Sequence, residues 1–289
     1  MNVNDVITAL ENFDGEYKRV EIDYAVAHQE EVTPLLMNIL RKVLKDPQKY
    51  ADHEDYFGHI YALVLLGYFK ETAAHDLIIQ LFSLPEELID ELYGDFAFEP
   101  FGTALYQTSG GSVDKIKKFI SDKNVSSDMR SVAIRPLLYG VVDGILSRAE
   151  VLKYLCGFFK GDEAEPTSGF WGFVAADICD LCPDENAYQV IKKAYEDELI
   201  DPLIVGFEEF QEAIDRGVEE SLNRIRREKE DFMPDYIHEM MSWWACFHDK
   251  EDDDQAEPEY KFVSDVIQKK ETVPKKKAKS KKQQKKKGN

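Results

Sequence analysis

Between Asp55 and Phe82 the apolar positions recur at the spacing of two helices joined by a tight bend. Phe57, Ile60, Tyr61, Val64, Leu65 and Tyr68 follow i, i+3, i+4, i+7, the pattern of a helix burying one broad face. Ala62, Leu63 and Leu66 add apolar surface on another side, so this helix needs neighbours before and after it. The second half carries Ala74, Leu77, Ile78 and Leu81 at the same spacing. Thr72 is its expected cap, because a hydroxyl there can accept from an orphan amide, and Pro85 stops it.

The hairpin has echoes downstream. Phe98, Phe101, Gly102 and Leu105, then Val113, Ile116 and Ile120, flank a Gly110-Gly111 break. Met129, Val132, Ala133, Leu137 and Val141 precede Val151, Leu152, Leu155, Phe158 and Phe159; between them Ser147 to Glu150 has the S-x-x-E capping-box spacing. Trp171, Val174, Ala175 and Ile178 lead to Ala187, Val190, Ile191 and Ala194, with Asp184 as the expected inner cap. First helices near residues 55, 97, 128 and 169 give a period of roughly 30 to 42 residues, that of stacked helical pairs. Asp128, Arg130, Ala133 and Leu137 also resemble the D-x-R-x-x-A-x-x-x-L pattern of HEAT-type repeats. The expected fold is all-α, a right-handed α-solenoid of stacked hairpins over residues 1–248.

The flanks complete this picture. Val3, Val6, Ile7 and Leu10 mark a short amphipathic helix, and residues 17–27 a second. Thr33 as cap with Pro34 in the first helical position predicts the start of a third, with Leu36, Ile39, Leu40 and Val43 on its buried face. Asp46 to Asp55 reads as a polar loop. Pro202 and Gly206 interrupt the chain before a helix or helix pair over residues 207–230. Phe232 to Phe247 is dense in aromatics and methionine, and Trp243, Trp244 and Phe247 are expected to cap the last repeat or to form an interface. Residues 249–274 read as an acidic linker with a possible short helix, and 275–289 as a disordered lysine-rich tail.

Composition divides the chain electrically. The net charge is −20, yet from Lys269 onward eleven lysines and one glutamate give +10, leaving −30 on residues 1–268. So acidic a body repels phosphate backbones, which leaves nucleic acid to the tail. The N-terminus has acids and no basic n-region, and no long uncharged apolar run occurs, so a soluble cytoplasmic protein is expected. A nuclear location would apply only in a eukaryotic host or target cell. Four scattered cysteines make no disulfide framework, and reduced thiols are expected.

TPLL at Thr33 to Leu36, DYFGHIYALVLLGYF at Asp55 to Phe69 and LYGDFAFEPFGTAL at Leu92 to Leu105 resemble one family in this order. SRAEVLKYL at Ser147 to Leu155, YEDELIDPLIVGFEEFQEAIDRG at Tyr195 to Gly217 and WWACF at Trp243 to Phe247 complete the set. The family is the mainly bacterial one catalogued as domain of unknown function 1186. The resemblance implies an all-helical repeat fold and no activity. Many members also carry a C-terminal cysteine-rich, zinc-binding module; here no cysteine follows Cys246, and the lysine tail stands in its place.

Few residues point to chemistry. Cys179 and Cys182 have the C-x-x-C spacing of a metal or redox pair, but no second pair accompanies them and core packing is the better reading. His59 and His75 are lone histidines on apolar helices. Asp95 and Glu99 lie one helical turn apart, a spacing that puts both carboxylates on one helix face as a candidate surface site. They also match the GD-x-x-x-E pattern of the family. No nucleophile elbow or phosphate loop is present, and no cofactor is expected. The leading expectation is a non-catalytic scaffold binding a protein or basic peptide on its surface. The first alternative is a ribosome- or nucleic-acid-associated factor tethered by Lys275, Lys276, Lys277, Lys279, Lys281, Lys282, Lys285, Lys286 and Lys287. The second is an enzyme using groove carboxylates.

Overall fold

The computed structural model describes residues 1–160 and 169–248; the expected acidic linker and lysine tail lie outside the described residues. What is described is all-helical, with one isolated antiparallel bridge between Asn12 and Tyr56. There the Phe13 amide donates to the Asp55 carbonyl at 2.8 Å and the Phe57 amide to the Glu11 carbonyl at 3.1 Å. The start of the chain is thereby pinned to the start of the central hairpin.

The stack opens with α1 (Val3–Glu11), α2 (Arg19–Ala27), α3 (Gln29–Lys45) and α4 (Pro47–Ala51). The central hairpin is α5 (Gly58–Tyr68) and α6 (His75–Leu81). After α7 (Glu86–Tyr93) come α8 (Glu99–Thr108), α9 (Asp114–Ser121), α10 (Ser127–Val132), α11 (Arg135–Val142) and α12 (Arg148–Gly157). The rest is α13 (Gly169–Asp180), α14 (Glu185–Glu196), α15 (Phe207–Arg216), α16 (Val218–Phe232) and α17 (Ile237–Met241).

As its all-round apolar pattern requires, α5 is buried from Gly58 to Gly67, with α3 packed before it and α8 after it. A Cβ on Gly67 would stand 3.1 Å from the Ala104 Cα, so the close approach of α5 and α8 depends on glycine there. From α8 the row continues through α10 and α11 to α13, with α12 and α14 packed side by side behind it. Local caps hold each turn. Ser147 and Glu150 form the capping box, and the Asp184 carboxylate accepts from the Ala187 amide at 2.8 Å.

Several boundaries differ from the sequence reading. Pro34 lies inside α3, which starts at Gln29 directly after His28, and Thr33 Oγ1 is buried in the helix instead of capping it. The turn before α6 is capped by the Glu71 carboxylate, which accepts from Ala73, and not by Thr72. Residues 47–51 form a short helix where a loop was expected. The helix expected over residues 129–141 breaks at Ala133 and Ile134 into α10 and α11, because Pro136 can occupy only the first turn of a new helix.

Arg130 of the HEAT-like pattern is wholly buried and joins three helices. Its Nε–H donates to the Ile120 carbonyl at 2.7 Å, and its guanidinium lies 4.0 Å from the Phe170 ring centroid on α13. Arg130→Ala removes that stacking and leaves a cavity and an unpaired carbonyl. Urea denaturation is expected to register a loss on the order of 3 kcal/mol.

Candidate functional site

After α15 the chain turns at Gly217, whose φ of +85° suits glycine, and travels back along the stack. α16 packs against α11 and α13. Arg135, at the start of α11, is the clamp. Its Nη1 donates to Asp177 Oδ1 and Asp180 Oδ2, each at 2.7 Å, and its Nε to Glu228 Oε1 on α16 at 2.8 Å. Nη2 closes a second bond to Glu228, and the Tyr139 hydroxyl donates to the same carboxylate at 3.0 Å. Burial disfavours the charge on Arg135, but Glu228, Asp180 and Asp177 together hold its pKa well above the ordinary value. Burial also pushes the Asp177 carboxyl up to about 7 against the pull of Arg135. One residue further along α16, Lys229 Nζ meets both Asp143 oxygens at 2.6 Å.

Beyond α16 the strap reaches the beginning of the stack. The Tyr68 hydroxyl donates to the Asp235 carbonyl at 2.7 Å, and Arg19 Nη1 to the Tyr236 hydroxyl at 3.0 Å. His238 is buried between Tyr17 and Asp23. With Nε2–H donated to Asp23 Oδ1 at 2.9 Å, its Nδ1 accepts the Tyr17 hydroxyl at 2.6 Å. Phe247 then joins Phe13, Tyr17 and Phe57, while Trp244 packs on Phe96 with ring centroids 4.6 Å apart. The expected cap on the last repeat is thus corrected. Trp244 and Phe247 cover the opposite end, where the aromatic surface of Phe13, Tyr17, Phe57 and Phe96 is available to them, and Trp243 stays 58% exposed.

Where the strap crosses α8 and α5 it closes a small cavity. Val64, Glu99, Pro100, Thr103, Ala104 and Gln107 form its floor, and Phe232, Met240 and Trp244 its roof. About 10 Å³ is left, room for about one water. Glu99 sits at the first position of α8, and burial pushes its carboxyl up to about 7. Gln107 Oε1 is buried without a hydrogen-bond partner among the described residues.

The two carboxylates read from the sequence do not share a face. Asp95 is exposed on the 3₁₀ turn Gly94–Ala97, and the chain bends at Phe98 (ψ −83°) before α8 carries Glu99 into the cavity. His59 donates Nε2–H to the Leu92 carbonyl, and His75 Nδ1 meets Thr108 Oγ1 at 3.0 Å. Burial lowers both imidazole pKa values, that of His59 to about 4, so both are neutral packing groups. Cys179 donates its thiol to the Glu209 carbonyl at 3.4 Å, and burial pushes it up to about 12. Cys182 follows the end of α13 with a φ of +58°. Among the described residues no group of three or more His, Cys, Asp or Glu has metal-holding geometry. The nine tail lysines lie outside the described residues. Arg135 and His238 were invisible to motif reading, since their partners lie up to 221 residues away, and Gln107 belongs to no motif. The one available signal was a strap rich in aromatics in a chain that also offers aromatic residues at its start.

Comparison with known proteins places the chain in a family without an assigned activity. Residues 1–248 match a family described as "Protein of unknown function (DUF1186)". Proteins of Chlamydia muridarum and Chlamydia trachomatis serovar D are each 29% identical over 250 residues. Those alignments cover 86% of this chain and 98% of each relative, and both relatives are described as "Uncharacterized protein". No solved structure matches.

Two outcomes are expected from the site. Arg135→Met leaves Asp177, Asp180 and Glu228 without their cation, and chemical denaturation should show a loss of about 1–3 kcal/mol at neutral pH, less than at a fully buried pair because the cluster is partly solvated. Glu99 has its folded-state pKa raised, so its contribution to stability is present below the usual carboxylate range and is lost as pH rises towards about 7. Glu99→Gln should therefore melt close to wild type near pH 4 and above wild type at pH 8, read by thermal scans across that range.

Proposed function

The chain belongs to the family of proteins of unknown function DUF1186, and we propose that it is a non-catalytic scaffold binding a protein or basic peptide segment. In this reading the stack is a right-handed HEAT-like solenoid working in the cytoplasm. One observation carries it. The row formed by α5, α8, α11 and α13 already receives residues 218–247 of its own chain, first as a helix and then as an irregular apolar segment. A surface that seats a peptide-like segment through spaced charge pairs and aromatic anchors has the chemistry of peptide recognition. The charge of −30 on residues 1–268 favours basic partners over acidic ones, and over nucleic acid.

A second reading rests on the tail. Nine lysines between Lys275 and Lys287 would bind RNA or a ribosome by counterion release, with affinity falling steeply in salt. Affinity capture from native lysate separates the two, using the whole chain, residues 1–248, and a full-length variant with those lysines changed to glutamine. The scaffold reading expects one partner retained by all three at moderate salt. Capture of ribosomes or RNA alone, lost with the lysines, would replace it with the tail reading.

A further inference from the structure

No lysine, arginine or histidine lines the cavity beneath the strap. Glu99 and Gln107 stand eight residues apart on α8, about 12 Å by helix rise. The Glu99 carboxylate has no hydrogen-bond or ion-pair partner among the described residues, and Gln107 Oε1 is buried without one. Val64, Pro100, Ala104, Phe232, Met240 and Trp244 give the walls an apolar and aromatic character. A carboxylate and an amide oxygen without protein partners, set among apolar walls, match the charged head and methylene stem of a long cationic side chain. With the strap closed only about 10 Å³ remains, so such a segment enters only where strap residues now sit.

The strap has two parts, held in different ways. α16 is a fifteen-residue helix held by Arg135–Glu228 and Lys229–Asp143. Residues 233–248 hold a five-residue helix and one 3₁₀ turn, and are seated by the side chains of Ile237, His238, Met241 and Trp244, anchors that a competing segment of like chemistry can replace. They contain no lysine or arginine, and their histidines are engaged elsewhere, His238 with Tyr17 and Asp23 and His248 with the Ser242 carbonyl; they also bring Asp235 and Glu239 to an end of the stack that already carries Asp23. A basic segment has a charge advantage over this cover.

We propose that the Glu99–Gln107 cavity recognises a lysine or arginine side chain on an apolar segment of a partner protein, and that residues 233–248 are the cover this segment displaces. This rests on the scaffold reading above and adds its site and its regulation. α16 stays clamped while the cover exchanges, so the partner meets Glu99, Gln107 and the aromatic surface of Phe13, Phe57 and Phe96.

The probe is a synthetic copy of residues 233–247 with Met240→Lys, which puts an ammonium where Met240 roofs the cavity; an unmodified copy is the control. Fluorescence anisotropy on the full chain should give at least tenfold tighter binding for the lysine copy. Saturation should speed amide exchange in the protein's own residues 233–248 and leave α16 unchanged. In Glu99→Gln, whose melting temperature at pH 7.5 should not fall below wild type, the lysine advantage should shrink to within twofold. Equal affinity of the two copies, an advantage retained in Glu99→Gln, or saturation without faster exchange in residues 233–248 each overturns the proposal. If the full-length variant with nine glutamines for lysines binds the probe tenfold tighter than wild type, the occupant is the chain's own lysine segment, which overturns the assignment to a partner. A partner captured from lysate alongside a failed probe would retain the scaffold and reject only this site.

Discussion

Arg135 reaches from α11 to carboxylates on two other helices, and its surroundings leave α16 few alternative positions. Net stability gained from a part-buried ion cluster such as this is often small, but leaving one of its charges unpaired is costly. Its value here is therefore positional. Glu228 must lie where the guanidinium and the Tyr139 hydroxyl converge, which fixes both the register and the direction of α16. That direction sets the course of the remaining chain, since a helix that leaves the end of the stack and runs back along its row delivers its successor residues to α8, α5 and α2.

That return changes what the stack can do. Stacked hairpins with an acidic exterior suggest an open face, yet this face is covered along much of its length by the same chain. The cover is uneven. Its proximal half is helical and charge-locked, whereas its distal half is held by hydrogen bonds to Tyr17, Arg19, Asp23 and Tyr68 and by the buried side chains of Ile237, Met241 and Trp244. On the proposed scaffold reading, affinity for an outside segment is a competition against this distal half, and Glu99 is where a competitor would gain most.

Local physics was legible in the sequence and distant pairing was not. The apolar spacing from Phe57 to Leu81, the Ser147–Glu150 box, the Asp184 cap and the Gly110-Gly111 break all act within a few residues, and each appears where it was read. Pro34 misled because α2 runs almost directly into α3, so tertiary burial of Val32 and Leu36 outweighed the proline as a start signal. Asp95 and Glu99 share a helical spacing but not a helix, since the bend at Phe98 depends on how α7 meets α8. Trp244 was recognisable as an anchor, but its destination depends on the clamp at Arg135, and no spacing rule links Arg135 to a residue 93 positions away.

The return of the strap is tested most directly by a double-mutant cycle between Tyr17→Phe and His238→Ala, read as unfolding free energy at neutral pH. These residues lie 221 positions apart and touch only if the strap reaches the first helices. A strap seated there predicts a coupling energy of about 0.5–3 kcal/mol between them. Additivity to within about 0.3 kcal/mol would contradict it, leaving the C-terminal aromatics free of the N-terminal end.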